Sequence, residues 1–294
     1  MSLFPCSVLT ICVVCSACGG SSPASPAAID RPSPTRPPVQ LKVMTFNIQH
    51  GVDGNGKYTL QNAITTIARL QPDVVGLQEV TRNHPSYACD DQPAKIAAGV
   101  QAATGQNWSV VYQQEWFTPD VSCQQSGRGD GRETEGLVML TRRSMTTSTM
   151  MPLPDSRIGM QASLADVYGL PIVVTHLSSG ASSGTTRTQQ IDRLLGWAAG
   201  FGPPRIVMGD LNAPPTAPEL QSLFGSYRDA WIEALQSGHA NGDGNSHGSS
   251  RIDYIFYTAG GAMTVDAAQV IDTAPLLGVQ VSDHRPVLAT FTIR

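Results

Sequence analysis

The stretch VSDHRPVLATFTI, residues 281–293, places three ionisable residues directly before an apolar, β-rich run. Runs of this length and composition are typical of buried strands. Asp283 beside such a run costs desolvation free energy unless its carboxylate is paired or binds a metal. The stretch therefore predicts a buried strand that begins at the rim of a site. The alternative is a β-turn that carries a chance cluster of charges.

Six more short apolar runs, rich in Val, Ile and Leu, are also predicted as strands because Gly and Pro bound them. They are LKVMTFNI (41–48), DVVGLQEV (73–80), EGLVML (135–140), PIVVTHL (171–177), RIVMGDLN (205–212) and RIDYIFYT (251–258). Strands with so little polar content need cover on both faces, so we predict an α/β fold with sheets flanked by helices.

Helical periodicity is present in two places. Residues 60–70 put Leu60, Ile64 and Ile67 on one face and end just before Pro72, a residue type that disfavours helix at the position before it. Residues 185–199 repeat the pattern. The long polar and Gly-rich stretches 82–134 and 237–250 are predicted as loops.

Polar side chains occur at the ends of the predicted strands rather than at random. Asn47, Glu79, His176, Asp210 and Asn212 each follow an apolar run. Strand ends bring residues from distant parts of a sequence onto one rim, which is how α/β scaffolds assemble sites. These side chains are therefore expected to converge.

In this order, the motifs TFNI, LQEV, THL, GDLN, RIDYIF and SDHRPV resemble the motif set of the metal-dependent endonuclease/exonuclease/phosphatase superfamily. Its members include pancreatic deoxyribonuclease, abasic-site endonucleases, neutral sphingomyelinases and inositol polyphosphate 5-phosphatases. The match runs from about residue 42 to residue 293. One motif alone is weak evidence, whereas six in order are specific. The resemblance implies a four-layer α/β/β/α sandwich, with two packed mixed β-sheets flanked by helices, and an enzyme that hydrolyses phosphoesters with a divalent metal.

The resemblance also implies a metal site. Glu79 is similar to the family's principal Mg²⁺ ligand, and Asn47 and Asp283 match residues that assist it directly or through water. Oxygen ligands suit Mg²⁺, with Mn²⁺ as the second choice.

Five residues match the family's catalytic positions. Asp210 and Asn212 resemble the pair that orients the attacking water and contacts the phosphoryl group. His284 resembles the histidine that contacts the scissile phosphate and transfers protons, and Asp253 resembles the carboxylate that fixes its tautomer. His176 resembles a second histidine, which contacts the phosphate or serves as general acid.

The remaining predictions for ionisable residues concern one glutamate and four loop histidines. Glu135 is expected to orient His176, as a corresponding carboxylate does in some family members. The loop histidines are expected to be ordinary surface residues; they are His50, His84, His239 and His247.

The N-terminal segment is predicted to be a leader and a tether. Residues 3–17 form an apolar run too short to span a bilayer, so residues 1–18 are predicted to be a secretory signal. Cys18 resembles the lipidated cysteine of a bacterial lipobox, although no basic residue precedes the run and Cys15 stands where Leu is usual. The Pro- and Ser-rich residues 19–40 are predicted to be a solvated tether, and the catalytic domain to comprise residues 41–294. We expect an exported protein, periplasmic or at the cell surface, anchored to the membrane if Cys18 is lipidated.

Only Cys89 and Cys123 of the six cysteines lie in the predicted domain. Two cysteines in an exported protein suggest one disulfide. Two unpaired thiols are the alternative.

The charge balance argues against a high-affinity, nonspecific duplex binder. Removing Arg31, Arg36 and Asp30 from the totals leaves 17 basic and 22 acidic residues, with three lysines, from residue 41 onward. Such binders usually carry a broad positive face. A bound divalent cation can still supply local positive charge, so a nuclease is not excluded.

The motifs TFNIQHG and TTRTQQ are most similar to small bacterial exported members of the superfamily, some of which are linked to lipid-anchor and phosphodiester chemistry. We therefore expect a monomeric, exported, Mg²⁺-dependent phosphodiesterase that acts on nucleic acid or a phospholipid head group. The alternative is a catalytically silent surface lipoprotein that uses the fold to bind a partner. Five arginines either gather near the site and bind phosphate or are merely solvated; they are Arg128, Arg132, Arg142, Arg143 and Arg157. Four aromatic residues either contact the substrate or pack the edge of the core; they are Trp108, Tyr112, Trp116 and Phe117.

Overall fold

Two mixed β-sheets pack against each other in a computed structural model that describes residues 37–119 and 121–294. The first sheet has the strand order β10-β12-β13-β1-β2-β4-β3 and the second the order β5-β6-β7-β8-β11-β9. The strands are β1 Val39–Asn47, β2 Val74–Arg82, β3 Ser109–Pro119, β4 Arg132–Thr141, β5 Thr149–Pro152, β6 Ile158–Leu164, β7 Leu170–His176, β8 Ile206–Asp210, β9 Arg228–Asp229, β10 Ala240–Asn241, β11 Asp253–Tyr257, β12 Met263–Val270 and β13 Val287–Ile293.

The described residues also form seven α-helices. They are α1 Leu60–Leu70, α2 Gln92–Thr104, α3 Ser122–Gln125, α4 Gly184–Ala199, α5 Gln221–Ser226, α6 Ala230–Gln236 and α7 Ala274–Leu277. Both predicted helices are confirmed, since α1 spans residues 60–70 and α4 begins one residue before the predicted 185.

Three apolar clusters divide the molecule into layers. The central cluster joins the facing sides of the two sheets, for example Val43 with Val174 and Met208. A second cluster packs α1 and α2 on the first sheet, and a third packs α4 and α5 on the second. The predicted four-layer α/β/β/α sandwich is therefore confirmed.

Strand direction decides where the polar strand ends meet. β1 pairs in parallel with β2, and β7 pairs in parallel with β8, so each pair ends at one edge of its sheet. β11 runs antiparallel to β8 and begins opposite its end, with Asp253 paired to Asp210. β13 runs antiparallel to β1, so the residues before Val287 lie beside the end of β1. All these ends face the same mouth of the sandwich.

The prediction of a loop over residues 82–134 is wrong. This stretch contains α2, β3 and α3, and β4 already begins at Arg132. The signal was weak for a physical reason. α2 buries few large apolar side chains, with Ile96 and Val100 the main ones, and β3 is an edge strand whose residues are all at least partly exposed. The sequence of an edge strand does not need a continuous apolar run. The 237–250 stretch is a loop apart from the two residues of β10.

A disulfide joins Cys89, which precedes α2, to Cys123 in α3, with the Cα atoms 5.5 Å apart. The predicted bond is confirmed, and the alternative of two free thiols is wrong. Closing a loop of 34 residues stabilises the fold by roughly 3–4 kcal/mol in the chain-entropy model.

The predicted signal peptide, Cys18 and tether residues 19–36 lie outside the described residues. β1 begins at Val39, two residues before the predicted start of the domain. Among the described helices, none has both the length and the apolar character required to cross a bilayer.

Candidate active site

The side-chain amide of Asn47 connects the two sheets at the mouth of the sandwich. Nδ2 of Asn47, at the end of β1, donates to Oε1 of Glu79 at 2.9 Å and to Oδ2 of Asp210 at 3.1 Å. Oδ1 of Asn47 accepts a hydrogen bond from the backbone N–H of Gln49 at 3.0 Å. Asn47 was predicted to help bind the metal, and the structure shows it as the donor that fixes the spacing of two carboxylates.

Glu79 lies at an irregular point of β2. The register between β2 and β4 shifts between Leu77 and Val80, and Glu79 has a left-handed backbone with φ 55°. Such a bulge redirects a side chain, and strained backbone of this kind clusters at functional sites. Burial raises the pKa of Glu79, and the hydrogen bond from Asn47 only partly offsets that effect.

Asp210 is buried beneath the mouth and is surrounded by three polar side chains. Besides Nδ2 of Asn47, its Oδ2 lies 3.5 Å from Nε2 of His176 and 3.6 Å from Nε2 of His284. Burial and the neighbouring Asp253 raise the pKa of Asp210 to about 7. Gly209 before it is essential, because a Cβ there would lie 1.9 Å from the carbonyl oxygen of Thr175. Any other residue would push β8 away from β7.

His284 and Asp253 form a buried pair. Oδ2 of Asp253 lies 2.8 Å from Nδ1 of His284, which directs the other ring nitrogen toward Asp210. Burial lowers the pKa of His284, but the Asp253 carboxylate outweighs it and raises the pKa to about 10. At neutral pH, His284 is therefore a cation that points into the site.

Unlike His284, His176 has contacts that favour an uncharged ring. Nη1 of Arg157 lies 3.2 Å from its Nδ1, and Nδ2 of Asn212 lies 3.1 Å from its Nε2. A guanidinium can only donate, so Nδ1 of His176 accepts from Arg157, which favours the neutral ring with its hydrogen on Nε2, 3.5 Å from Oδ2 of Asp210. Burial, followed by the charges of Arg157 and His284, holds the pKa of His176 well below its ordinary value.

Glu135 does not contact His176 as predicted, although one of its carboxylate oxygens lies within 4.8 Å of a ring nitrogen of His176. Its Oε2 lies 3.4 Å from Nε2 of His50, and its Oε1 lies 4.0 Å from Nη1 of Arg157. The carboxylate on the Nδ1 side of His176 is instead Glu115, whose Oε2 lies 4.0 Å from Nδ1 of His176 and 3.3 Å from Nη1 of Arg157.

Glu115 was missed because it lies in the stretch predicted as a loop. β3 is irregular between Gln114 and Trp116, and this irregularity turns the Glu115 side chain into the sandwich, where it is fully buried. Its Oε1 is buried without a hydrogen-bond partner among the described residues. Burial raises the pKa of Glu115 to about 8, although the charge of Arg157 opposes the shift.

Replacing Glu115 by glutamine is expected to flatten the pH dependence of stability. Because the pKa of Glu115 is raised from 4.5 to about 8, the folded protein holds a proton that the unfolded chain releases. This contribution is complete below about pH 4.5 and is lost as the pH rises through 8. Between pH 5 and 8.5, the free energy of unfolding of the wild type should fall by on the order of 3 kcal/mol more than that of Glu115→Gln.

Urea denaturation at the two pH values measures this difference. Glu233→Gln on α6, where the carboxylate is partly exposed, is the control and should follow the wild type. Equal slopes for Glu115→Gln and the wild type would show that Glu115 is ionised throughout this range.

Two histidines predicted as ordinary surface residues belong to the site. His50 lies between Glu79 and Glu135 with a fifth of its side chain exposed, and burial lowers its pKa to about 4. His247 packs against His284 with the ring centroids 4.6 Å apart. The Q-H-G turn was the only available signal for His50, and a polar, Gly-rich loop gave none for His247. His239 is exposed as predicted, and His84 contacts Glu133 at 2.9 Å.

Asp283 stands at the open side of the mouth. Almost half of its side chain is exposed, and its Oδ2 lies 3.8 Å from Nε2 of His247. With His247 and His284 it forms one of the groups whose spacing would allow metal binding.

Of the five arginines considered for substrate contacts, Arg157 reaches the site. Arg142 and Arg143 both pair with Asp73 at the start of β2, which is the opposite end of the sheet. Arg128 donates to the carbonyl oxygen of Ala88, and Arg132 lies over the ring of Phe117. Of the two alternatives for these arginines, gathering at the site therefore does not hold for Arg142 and Arg143. Among the aromatic residues, Trp108 is buried, Tyr112 and Trp116 are partly buried, and Phe117 is half exposed.

The sequence matches the model of the Endonuclease/Exonuclease/phosphatase family over residues 44–284. The structure is similar to that of the endonuclease/exonuclease/phosphatase from Beutenbergia cavernae DSM 12333, with a TM-score of 0.65 and 26% identity over 86% of this chain and 72% of that chain. No curated protein matches the sequence.

Two further similarities concern the fold alone. The catalytic domain of human Nocturnin with bound sulfate anion has a TM-score of 0.64 and 20% identity, over 88% of this chain and 98% of that chain. D. rerio TDP2 complexed with single strand DNA product has a TM-score of 0.58 and 20% identity, over 86% of this chain and 98% of that chain.

Proposed function

The chain belongs to the endonuclease/exonuclease/phosphatase family, and from that premise we propose that it is an exported, divalent-metal-dependent phosphodiesterase. The observation that carries the proposal is the position of Asp210. One buried carboxylate oxygen lies within 3.6 Å of Asn47, His176 and His284, which come from three separate strand ends. This arrangement can hold a water molecule and a phosphoryl group at fixed positions.

The donor set fits a divalent cation. Oε1 of Glu79 accepts from Asn47, which leaves Oε2 available, and the Asp283 carboxylate is exposed at the same mouth. We propose that Glu79 and Asp283 hold the ion, with Asn47 fixing the direction of Glu79, and that Mg²⁺ or Mn²⁺ is the cofactor. When bound, the ion would neutralise charge on the phosphoryl oxygens.

The protein's own side chains supply the rest of the chemistry. Asp210, as a carboxylate, accepts a hydrogen bond from the attacking water and orients it toward phosphorus. His284, held by Asp253 as a cation, stabilises negative charge on the phosphoryl oxygens and can release a proton to the leaving oxygen. His176, as the neutral ring, and Asn212 donate hydrogen bonds to the phosphoryl group without adding charge.

Two further observations support the proposal of export. The Cys89–Cys123 disulfide persists most readily in an oxidising compartment. The apolar residues 3–17 have the length of a secretory signal. We also retain the proposals of membrane anchoring through Cys18 and of a monomer.

The test is turnover of phosphodiesters by the full chain. Bis-p-nitrophenyl phosphate, plasmid DNA and sphingomyelin are offered with Mg²⁺ or Mn²⁺, and then with EDTA. We expect turnover of at least one substrate, complete loss in EDTA and recovery when metal is restored. A protein that hydrolyses none of them under any metal condition would support the rival proposal, a binding module on the same fold.

A further inference from the structure

We propose that His50 supplies a nitrogen ligand to the divalent ion held by Glu79, so that this site binds Mn²⁺ in preference to Mg²⁺. The inference rests on the proposed function and concerns the same metal site. It assigns a role to a residue that the sequence analysis predicted to be an ordinary surface histidine.

The backbone holds His50 in a conformation that needs support. The turn Gln49–Gly51 has left-handed φ angles of 47° at Gln49 and 56° at His50. Non-Gly residues in this region are strained and persist only where surrounding contacts fix them. Here the Asn47 side chain accepts from the N–H of Gln49, and Nε2 of Gln92 donates to the carbonyl oxygen of His50 at 2.7 Å. These contacts aim the imidazole at the mouth.

One ring nitrogen of His50 has no partner. Nδ1 is buried, makes no hydrogen bond with any described residue and lies 3.6 Å from Oε2 of Glu79. Oε2 is also the oxygen of Glu79 that Asn47 leaves free. Two adjacent ligands on one ion lie about 3 Å apart at metal–ligand distances near 2.1 Å. A small closure of this gap would let Nδ1 and Oε2 bind the same ion.

The other ring nitrogen faces a carboxylate. Nε2 of His50 lies 3.4 Å from Oε2 of Glu135, which can only accept when ionised. A hydrogen on Nε2 leaves the lone pair on Nδ1, directed to the side where Glu79 lies. A carboxylate behind a histidine in this way orients the ring and increases its basicity as a metal ligand. This gives Glu135 a positioning role through His50 instead of through His176.

An imidazole ligand changes which ion is preferred. Mg²⁺ is normally bound by carboxylate oxygens and water, whereas imidazole suits transition metals. A site of Glu79, Asp283 and His50 is therefore expected to bind Mn²⁺ more tightly than Mg²⁺. Removing the imidazole should weaken Mn²⁺ binding far more than Mg²⁺ binding.

The experiment measures the ion directly and does not depend on turnover. Pulsed electron paramagnetic resonance of the Mn²⁺-loaded full chain, prepared with ¹⁵N-labelled histidine, reports a directly bound ring nitrogen through its hyperfine coupling. We expect the coupling in the wild type and its loss in His50→Ala. Titration should show Mn²⁺ affinity reduced at least about tenfold in His50→Ala, with Mg²⁺ affinity changed much less.

His239→Ala is the matched control, because it removes an imidazole from an exposed loop and should change neither quantity. His50→Asn keeps a polar side chain and should also lose the coupling. Mn²⁺ that binds the wild type without a nitrogen coupling, or a coupling that survives in His50→Ala, would overturn the assignment of His50 alone. Absence of saturable binding by either ion would count against the proposed function as well.

Discussion

Replacing His284 by alanine is expected to lower kcat for a phosphodiester by at least about 10²-fold, the usual scale for a lost proton-transfer group. The reason lies in the charge that Asp253 imposes. Its carboxylate lies 2.8 Å from Nδ1 and raises the pKa of the ring to about 10, so the wild type presents a cation to the phosphoryl group. Alanine removes both the charge and the proton. The measurement is kcat and KM with bis-p-nitrophenyl phosphate at saturating metal.

Asp253→Asn keeps the His284 ring but removes the carboxylate that holds it in the protonated form. The amide keeps a contact with Nδ1 but not the negative charge, so the ring should lose its proton at a lower pH than in the wild type. The expected result is an activity that falls at a lower pH on the alkaline side, with a smaller loss of kcat at neutral pH than in His284→Ala. His239→Ala should match the wild type. A His284→Ala variant that keeps nearly full kcat would show that the ring has no part in proton transfer.

Much of the architecture follows from patterns that are short in sequence. The predicted strands at residues 41–48, 73–80 and 171–177 are correct because they are buried on both faces, and burial requires an apolar run. The two periodic helices are correct because each has one apolar face. β3 and β12 were missed because both have partly exposed residues along much of their length. Where a strand is exposed to water, its sequence is under little constraint and carries little signal.

Some residues of the site could also be predicted from the sequence, and others could not. Glu79, Asp210 and His284 were predicted because each adjoins an apolar run and matches a motif of the family. Glu115 and His50 were not, because what brings them into the site is local backbone irregularity. One is turned inward by a bulge in an edge strand, and the other is held by a left-handed turn. Such irregularities depend on tertiary contacts, so periodicity and motif spacing do not reveal them.

Tertiary contacts also explain why Glu115, and not the predicted Glu135, lies beside His176. The two residues lie on neighbouring strands, one residue apart in register, since Glu135 pairs with Trp116. Arg157, which contacts His176, lies closer to Glu115 than to Glu135. A long, flexible arginine can choose between two nearby carboxylates only in the folded protein. The sequence placed Glu135 near the histidine and gave no indication of Glu115.

Asp210→Asn is expected to lower kcat by roughly 10²–10⁴-fold, the range for loss of a general base. Asparagine has nearly the same shape, so the contacts around Asp210 can persist in part, but its amide oxygen accepts a proton far less readily than a carboxylate. Because burial and Asp253 raise the pKa of Asp210 to about 7, the metal-free wild type already carries a proton there part of the time. The substitution should therefore leave the thermal midpoint at pH 6 close to that of the wild type.

The double variant Asp210→Asn/His284→Ala tests whether the two residues act as a unit. Their side chains are 3.6 Å apart, and residues that contact each other rarely contribute additively. The double variant should therefore be little slower than the slower single variant, with kcat measured under one metal concentration for all four proteins. Losses that multiply would mean that Asp210 and His284 act at independent steps. A single Asp210→Asn variant with wild-type kcat would remove the carboxylate from the mechanism, and with it the observation on which the proposed phosphodiesterase rests.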